Sequence, residues 1–547
     1  MKLSENTLLF NGDCTYLFSQ HFAPKNGERY SCNGLHRYID LLAASGVDIY
    51  LQNPNVQKPF YPSRVLSPAW EGCKRGDDEF VRGHCPYADP PLAQKCIERH
   101  IALLNRYLDL KEDGVDWMRE ISLACRLNKI APWISIRMND MHGAVNWEKS
   151  YMNCDLQKDA RYRLNGPVPL LNYEHQEVRD YYFSMIRELV EDYDYQGLEL
   201  DWLRSPFCCE SPATPQALDV MTRWISQIRA LTNRQVQKTG RPFPLGLRIP
   251  VRLDELKMIG LDVQAWAREE LIDFIAPSNL FQTTWDVPYE KLRLLLGNNV
   301  AIYGVVEDAP NWLGCRVSPQ LTHPHAELDT SPSSHRCLSA SAELLRGNAA
   351  GKLALGADGI YLCNFFCTDE PVHNPTPGKA HANYAAVNNL HRLDKLRGQP
   401  KHYTLSTSGD PRTYPVFEFA DQLPMMLGPG EQHLFRIPMC AETEESLELW
   451  IQLVIERCPN EPMINISFNG NLFNNEANVT DELLFPTGIF THHLPEHQAM
   501  NFRFPAQLIQ EGWNTVTVVR RKSDSAQAAL IHILSLELAI KDKSPSH

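Results

Sequence analysis

The chain is 547 residues long, 43% hydrophobic and 22% charged, with a formal net charge of −13. That length exceeds one ordinary core, so two domains or more are expected, and the composition excludes a disordered chain. The acidic balance argues against a general nucleic-acid partner, because phosphate neutralisation needs a basic face.

No apolar run approaches the ~20 residues of a membrane span, so no membrane partner is expected. The first residues, Met1-Lys2-Leu3-Ser4-Glu5-Asn6, lack the basic stretch and apolar core of a signal peptide, so none is expected. Fifteen cysteines are scattered without paired C-x₂-C spacing, which predicts no metal, no cofactor and reduced thiols in a cytoplasmic compartment.

Eight strand-like runs follow in chain order: Thr7–Phe10, Val47–Leu51, Ala131–Arg137, Gly197–Trp202, Leu245–Pro250, Ile272–Pro277, Val300–Val306 and Gly359–Asn364. Amphipathic stretches separate them: His36–Ala44, Ala93–Leu110 with Gly114–Leu127, Glu177–Tyr193, Leu218–Thr239, Leu261–Glu270, Pro288–Leu296 and Ser339–Leu355. Ala380–Leu396 is predicted to close the ring. In Glu177–Tyr193 the residues Val178, Tyr181, Tyr182, Met185, Ile186 and Leu189 fall on one helical stripe. Eight strands with intervening helices is the count of a (β/α)₈ TIM barrel, predicted over residues 1–398. After Gly398-Gln399-Pro400 strand-like runs recur without long helices, at Leu434–Ile437, Ser446–Val454, Met463–Phe468, Met500–Phe504, Thr515–Arg520 and Ala529–Ala539. Residues 399–547 therefore read as an antiparallel β-sandwich of jelly-roll type.

The active face of such a barrel lies at the C-terminal ends of its strands. Polar residues converge there: Asn11 and Asp13, Asn53, Arg137, Asn139, Asp140 and His142, Glu199, Asp201 and Arg204, Arg248, Asn279, Glu307 and Asn364. In the fourth strand, period-2 alternation turns Leu198 and Leu200 toward the helices and Glu199 and Asp201 into the barrel. Two stacked carboxylates cannot both ionise cheaply, which suits one of them to general acid work. Asp201 lies nearer the rim and is expected to reach substrate. Glu199 sits one layer below, where a structural ion pair with Arg137 or Arg248 is the competing reading.

If these carboxylates serve glycosidic-bond hydrolysis, a second one must face the first, because that mechanism needs an acid and either a base or a nucleophile. Glu307, at the end of strand seven, is the candidate; Asp308 is the alternative in a shifted register. Asp140 is a third, although alternation from Arg137 and Asn139 turns it away. His142 is read as a hydrogen-bond donor to substrate. Trp202, Trp147, Trp285, Trp312, Phe365 and Phe366 are candidates for stacking on sugar rings, and inward arginines leave an acidic or sulfated sugar open.

The stretches Ile134–His142, Gly197–Arg204, Gly260–Trp266 and Leu271–Ser278 resemble bacterial glycoside-hydrolase-like barrels of the family-10-type glycosylhydrolase group, over about residues 5–395. That resemblance implies a sugar-processing barrel with an acidic residue after strand four, matched here by Asp201 or Glu199. Glu-Leu-Asp stands where retaining xylanase-clan barrels carry Asn-Glu, so that clan's residue roles do not transfer. The expectation is a glycoside hydrolase acting from chain ends on imported oligosaccharides, with a carbohydrate as its partner and a homo-oligomer left open. A sugar lyase or isomerase on the same barrel, and a non-catalytic carbohydrate-binding protein, are the alternatives.

Overall fold

In a computed structural model of the chain the residues described are 5–15, 29–85, 88–143, 146–166, 168–203, 205–278, 283–307, 340–365, 384–405, 422–423, 425–458, 462–472, 478–480, 483–484, 496–522 and 530–543. Strands β1 (Thr7–Gly12), β2 (Ile49–Gln52), β3 (Ala131–Arg137), β4 (Leu198–Asp201), β5 (Leu245–Ile249), β6 (Phe274–Pro277), β7 (Ala301–Glu307) and β8 (Gly359–Cys363) neighbour one another in that order and close into a barrel. Apart from half-buried Ala131, every residue in these strands is buried. Burial on both faces explains why the runs read as near-continuous apolar sequence, with polar residues gathered at their ends.

The remaining strands form two antiparallel sheets. One has β10 (Met425–Leu427), β18 (Ile531–Asp542), β12 (Leu447–Glu456), β16 (His497–Pro505) and β15 (Asn478–Thr480) in that order, with β9 (Lys401–Thr404) also paired to β18. The other runs β11 (Gln432–Met439), β17 (Gly512–Arg520), β13 (Ile464–Phe468) and β14 (Asn471–Leu472). In β17 burial alternates, with Asn514, Val516 and Val518 buried and the residues between them half-buried. This is the period-2 signature of a sheet with one face on a core. The fold is a (β/α)₈ barrel followed by an antiparallel β-sandwich.

The chain divides into two compact units. The first holds 9–277 with 1–4 and 295–301, and the second holds 278–294 and 302–547 with 5–8. In the first, β1–β6 alternate with helices, the longest being Pro90–Glu112, Gln176–Asp192 and Pro215–Thr239. The last of these starts at Pro215, with Thr214 capping the amide of Ala217, and ends at Gly240 in the left-handed region. That is the expected asymmetry of helix start and stop.

In the second unit the helix Ala342–Ala354 packs against β9 and β11. Gly347 and Gly351 sit mid-helix, where glycine costs helix stability. A Cβ at Gly347 would lie 2.1 Å from the carbonyl oxygen of His402, and one at Gly351 would lie 2.6 Å from that of Pro438. The glycines therefore permit backbone-to-backbone approach between helix and sheet. We expect Gly347→Ala to lower stability by about 1–3 kcal/mol through overpacking, despite the better helix propensity of alanine. A urea midpoint that is unchanged or raised would refute this packing role.

The residues leading directly into β9 are pinned. Buried Lys401 donates to the carbonyls of Leu396 and Gln399 and pairs with Glu442 at 2.6 Å. Arg397 donates to Ala441 O and pairs with Glu511. The predicted closing helix Ala380–Leu396 is not continuous. Its described part is a 3₁₀ turn at Tyr384–Val387 and a short helix at Leu393–Leu396, interrupted by Asn389 at φ 65°. Among the described residues, no helix is long and apolar enough to cross a membrane.

Candidate active site

The first unit presents two polar layers at its strand ends. In the lower one, Ser135 on β3 lies in register with Glu199 on β4. Ser135 Oγ donates to Glu199 Oε1 at 2.6 Å, and Asn11 Nδ2 donates to both Ser135 Oγ and Glu199 Oε1. Three strands thus meet around one buried carboxylate. On β5, the residue in register with Glu199 is Gly246, where a Cβ would strike the ring of Phe274 at 2.3 Å.

One residue pair further along, Asp201 is in register with Arg137 on one side and Arg248 on the other. Arg248 Nη1 donates to Asp201 Oδ2 at 3.1 Å, and the amide of Leu203 donates to Oδ1 at 3.0 Å. A carboxylate receiving a guanidinium and an amide is arranged as an anion. The sequence left open which of the two carboxylates does general acid work; Asp201 faces a cation, where Glu199 accepts from a hydroxyl and an amide.

Arg137 differs from its expected role. Rather than pairing with Glu199, its guanidinium contacts Asp13 and lies 3.5 Å from Asp140. The reason is height: Arg137 is two residues beyond Ser135, level with the strand ends where Asp13 emerges from β1. Burial opposes ionisation of Asp13, but the charge of Arg137 and the hydroxyl and amide of Thr15 outweigh it, so its carboxyl is held well below the ordinary range. Burial likewise disfavours the Arg137 cation, and Asp13 and Asp140 more than restore it.

Asp140 was expected to point away, yet it is fully buried in this cluster. Strand β3 ends at Arg137, so the alternation that turned Asp140 outward no longer applies. Both Asp140 oxygens lie 2.8 Å from His142 Nδ1, and Oδ1 also accepts the His142 amide. His142 is the exposed member, its side chain 36% accessible against 0% for Asp140.

Three predicted substrate-binding residues make structural contacts. Asn139 Nδ2 donates to the carbonyls of Leu171 and Phe207, and its Oδ1 accepts the Leu171 amide, so it ties three loops together. Trp202 is fully buried and packs edge-on against Tyr173, which makes it core rather than a stacking platform. Asn53 Nδ2 donates to Ser135 O at 3.0 Å, holding β2 to β3. Arg204, Asn279, Asp308, Trp312 and Phe366 lie outside the described residues.

In the second unit, Glu307 ends β7 and is buried. Its Oε1 accepts from Asn364 Nδ2 at 3.3 Å, and Thr283 bonds both its amide and its carbonyl. Asn364 holds φ 48°, a left-handed conformation that asparagine tolerates. Sequence reasoning missed Thr283 and Ser135; a serine between isoleucines in β3 was the available signal. Among the described residues, no group of three or more His, Cys, Asp or Glu could hold a metal ion.

No known protein family and no curated protein matches this sequence. Solved structures similar to it include a maltogenic α-amylase from Thermotoga neapolitana, at 10% identity and TM-score 0.37, covering 98% of this chain and 99% of that one. Two α-L-fucosidases from Paenibacillus thiaminolyticus are also similar. Isoenzyme 1 has 12% identity, TM-score 0.33 and coverage of 94% and 96%. Isoenzyme 2 has 11% identity, TM-score 0.38 and coverage of 72% and 49%. Likeness this distant assigns neither family nor chemistry, and the family-10-type resemblance rests on its quoted motifs alone.

Proposed function

We propose that the chain is a glycoside hydrolase acting from chain ends on small imported oligosaccharides, with its chemistry in the barrel expected over residues 1–398. The observation that supports this reading best is the end of β4. There Glu199 and Asp201 are both buried, the first among a hydroxyl and an amide, the second against Arg248. Asp201 is proposed as the nucleophile or base, and Glu307 as the second carboxylate that the reaction requires.

The charge balance favours a neutral sugar over the acidic or sulfated one that the arginines first suggested. Among the described strand-end residues of the first unit, Asp13, Asp140, Glu199 and Asp201 outnumber Arg137 and Arg248, and both arginines already contact carboxylates. An anionic substrate would enter against that field.

A panel of aryl glycosides, neutral and anionic, tests the reading. Turnover is expected on a neutral member. Glu307→Gln should lower its kcat by about a hundredfold or more, the scale of a lost acid–base group. A Glu307→Gln enzyme with near-normal kcat would remove Glu307 from the reaction, and no turnover across the panel would reject the glycosidase reading.

A further inference from the structure

Resting on the glycoside reading, we infer that His142 is a specificity-determining residue whose Nε2 accepts a hydrogen bond from one hydroxyl of the sugar. The sequence suggested a donor; the geometry reverses the role. Asp140 presents only acceptor oxygens, and both lie 2.8 Å from His142 Nδ1, so Nδ1 carries the ring proton. In the neutral ring Nε2 then holds a lone pair, and it accepts.

The dyad is built to hold that orientation. Asp140 is fully buried, with the His142 amide on Oδ1 and Arg137 3.5 Å from Oδ2. Arg137 is anchored in turn by Asp13, and Asp13 by the amide and hydroxyl of Thr15. Gln57 Nε2 fixes the Asp140 carbonyl at 2.9 Å. Five side chains, from the end of β3 and the loops beyond β1, β2 and β3, thus aim one imidazole, which is itself exposed. It stands just past the C-terminal end of β3, on the face where a barrel binds substrate.

An aimed acceptor of this kind selects a group with a proton to give. A sugar hydroxyl supplies one, whereas a deoxy, fluoro or O-methyl position does not. A site built around a substrate hydroxyl rejects the analogue that lacks it, because its own polar group is left unpaired.

The test uses the full-length protein and a neutral aryl glycoside that it hydrolyses, together with the deoxy analogue at each ring hydroxyl. His142→Ala should lower kcat/KM on the parent by about tenfold to a hundredfold, the loss falling mainly on KM. At one ring position deoxygenation should cost the wild type a similar factor and cost His142→Ala nothing further, since both changes remove the same bond. His142→Gln, whose amide oxygen can accept, should restore part of the loss. Because the His142 side chain is exposed, the variants are expected to melt with the wild type. Losses that multiply independently at every ring position would overturn this inference while leaving the glycosidase reading intact. Failure of the wild type to hydrolyse any glycoside would overturn both.

Discussion

Asp201→Asn is expected to abolish turnover, with kcat falling by about a thousandfold or more, the scale on which losing a proton-transfer or nucleophilic carboxylate acts. The amide keeps the shape of the carboxylate and can still accept the Leu203 amide, a bond of 3.0 Å in the native chain. What it loses is the anion facing Arg248. The fold should survive, at a lower melting temperature, because a buried guanidinium is left with a neutral partner. A drop in kcat of less than about tenfold, measured on a folded variant, would take Asp201 out of the catalytic role.

Arg137→Met should be the most destabilising single change in the strand-end cluster, at about 3–5 kcal/mol at pH 7, since it strands buried charge without its partner. Both Asp13 and Asp140 lose their guanidinium, and Asp13 is only 5% exposed. The sign with pH follows from linkage. In the wild type the Asp13 carboxyl is held below its ordinary value of 3.8, so its stabilisation is complete above that pH and is lost as pH falls through the folded value. In Arg137→Met the largest influence opposing burial is gone and only the Thr15 bonds still hold the Asp13 carboxyl down, so the balance shifts toward the neutral acid and protonation relieves part of the damage. The stability gap between variant and wild type should therefore narrow as pH is lowered from 7 toward 4.5. Denaturant titrations at several pH values measure it, and a gap that stays constant or widens would show that Arg137 acts by packing alone.

Much of the architecture was legible before any coordinates. The eight barrel strands fall where β-branched and aromatic runs alternate with amphipathic stretches, and the sandwich strands β11–β13 and β16–β18 fall within a few residues of their predicted runs. Periodicity is a local property, carried by each segment independently, so it survives in the sequence. The same period-2 logic put Glu199 and Asp201 on one face of β4, and both are buried there beside polar groups of the neighbouring strands. Short or irregular elements were not legible. β9 at Lys401–Thr404 and β10 at Met425–Leu427 owe their strand geometry to pairing with β18 rather than to any pattern of their own.

Which polar residue meets which was decided only by tertiary structure. Arg137 pairs with Asp13, 124 residues away, because closure of the barrel brings the end of β3 near the loop that follows β1. Asn139 binds two segments from either side of β4, and nothing in Met138-Asn139-Asp140 announces that its amide is occupied. Trp202 follows two inward carboxylates in sequence, yet the chain turns off the strand and buries its ring against Tyr173. His142 became an acceptor only once Asp140 was seen to hold its other nitrogen. Chemical type and strand period reside in the residues themselves. Protonation state, hydrogen-bond direction and the choice of ion-pair partner depend on distances of a few ångströms between remote segments, and folding alone creates those distances.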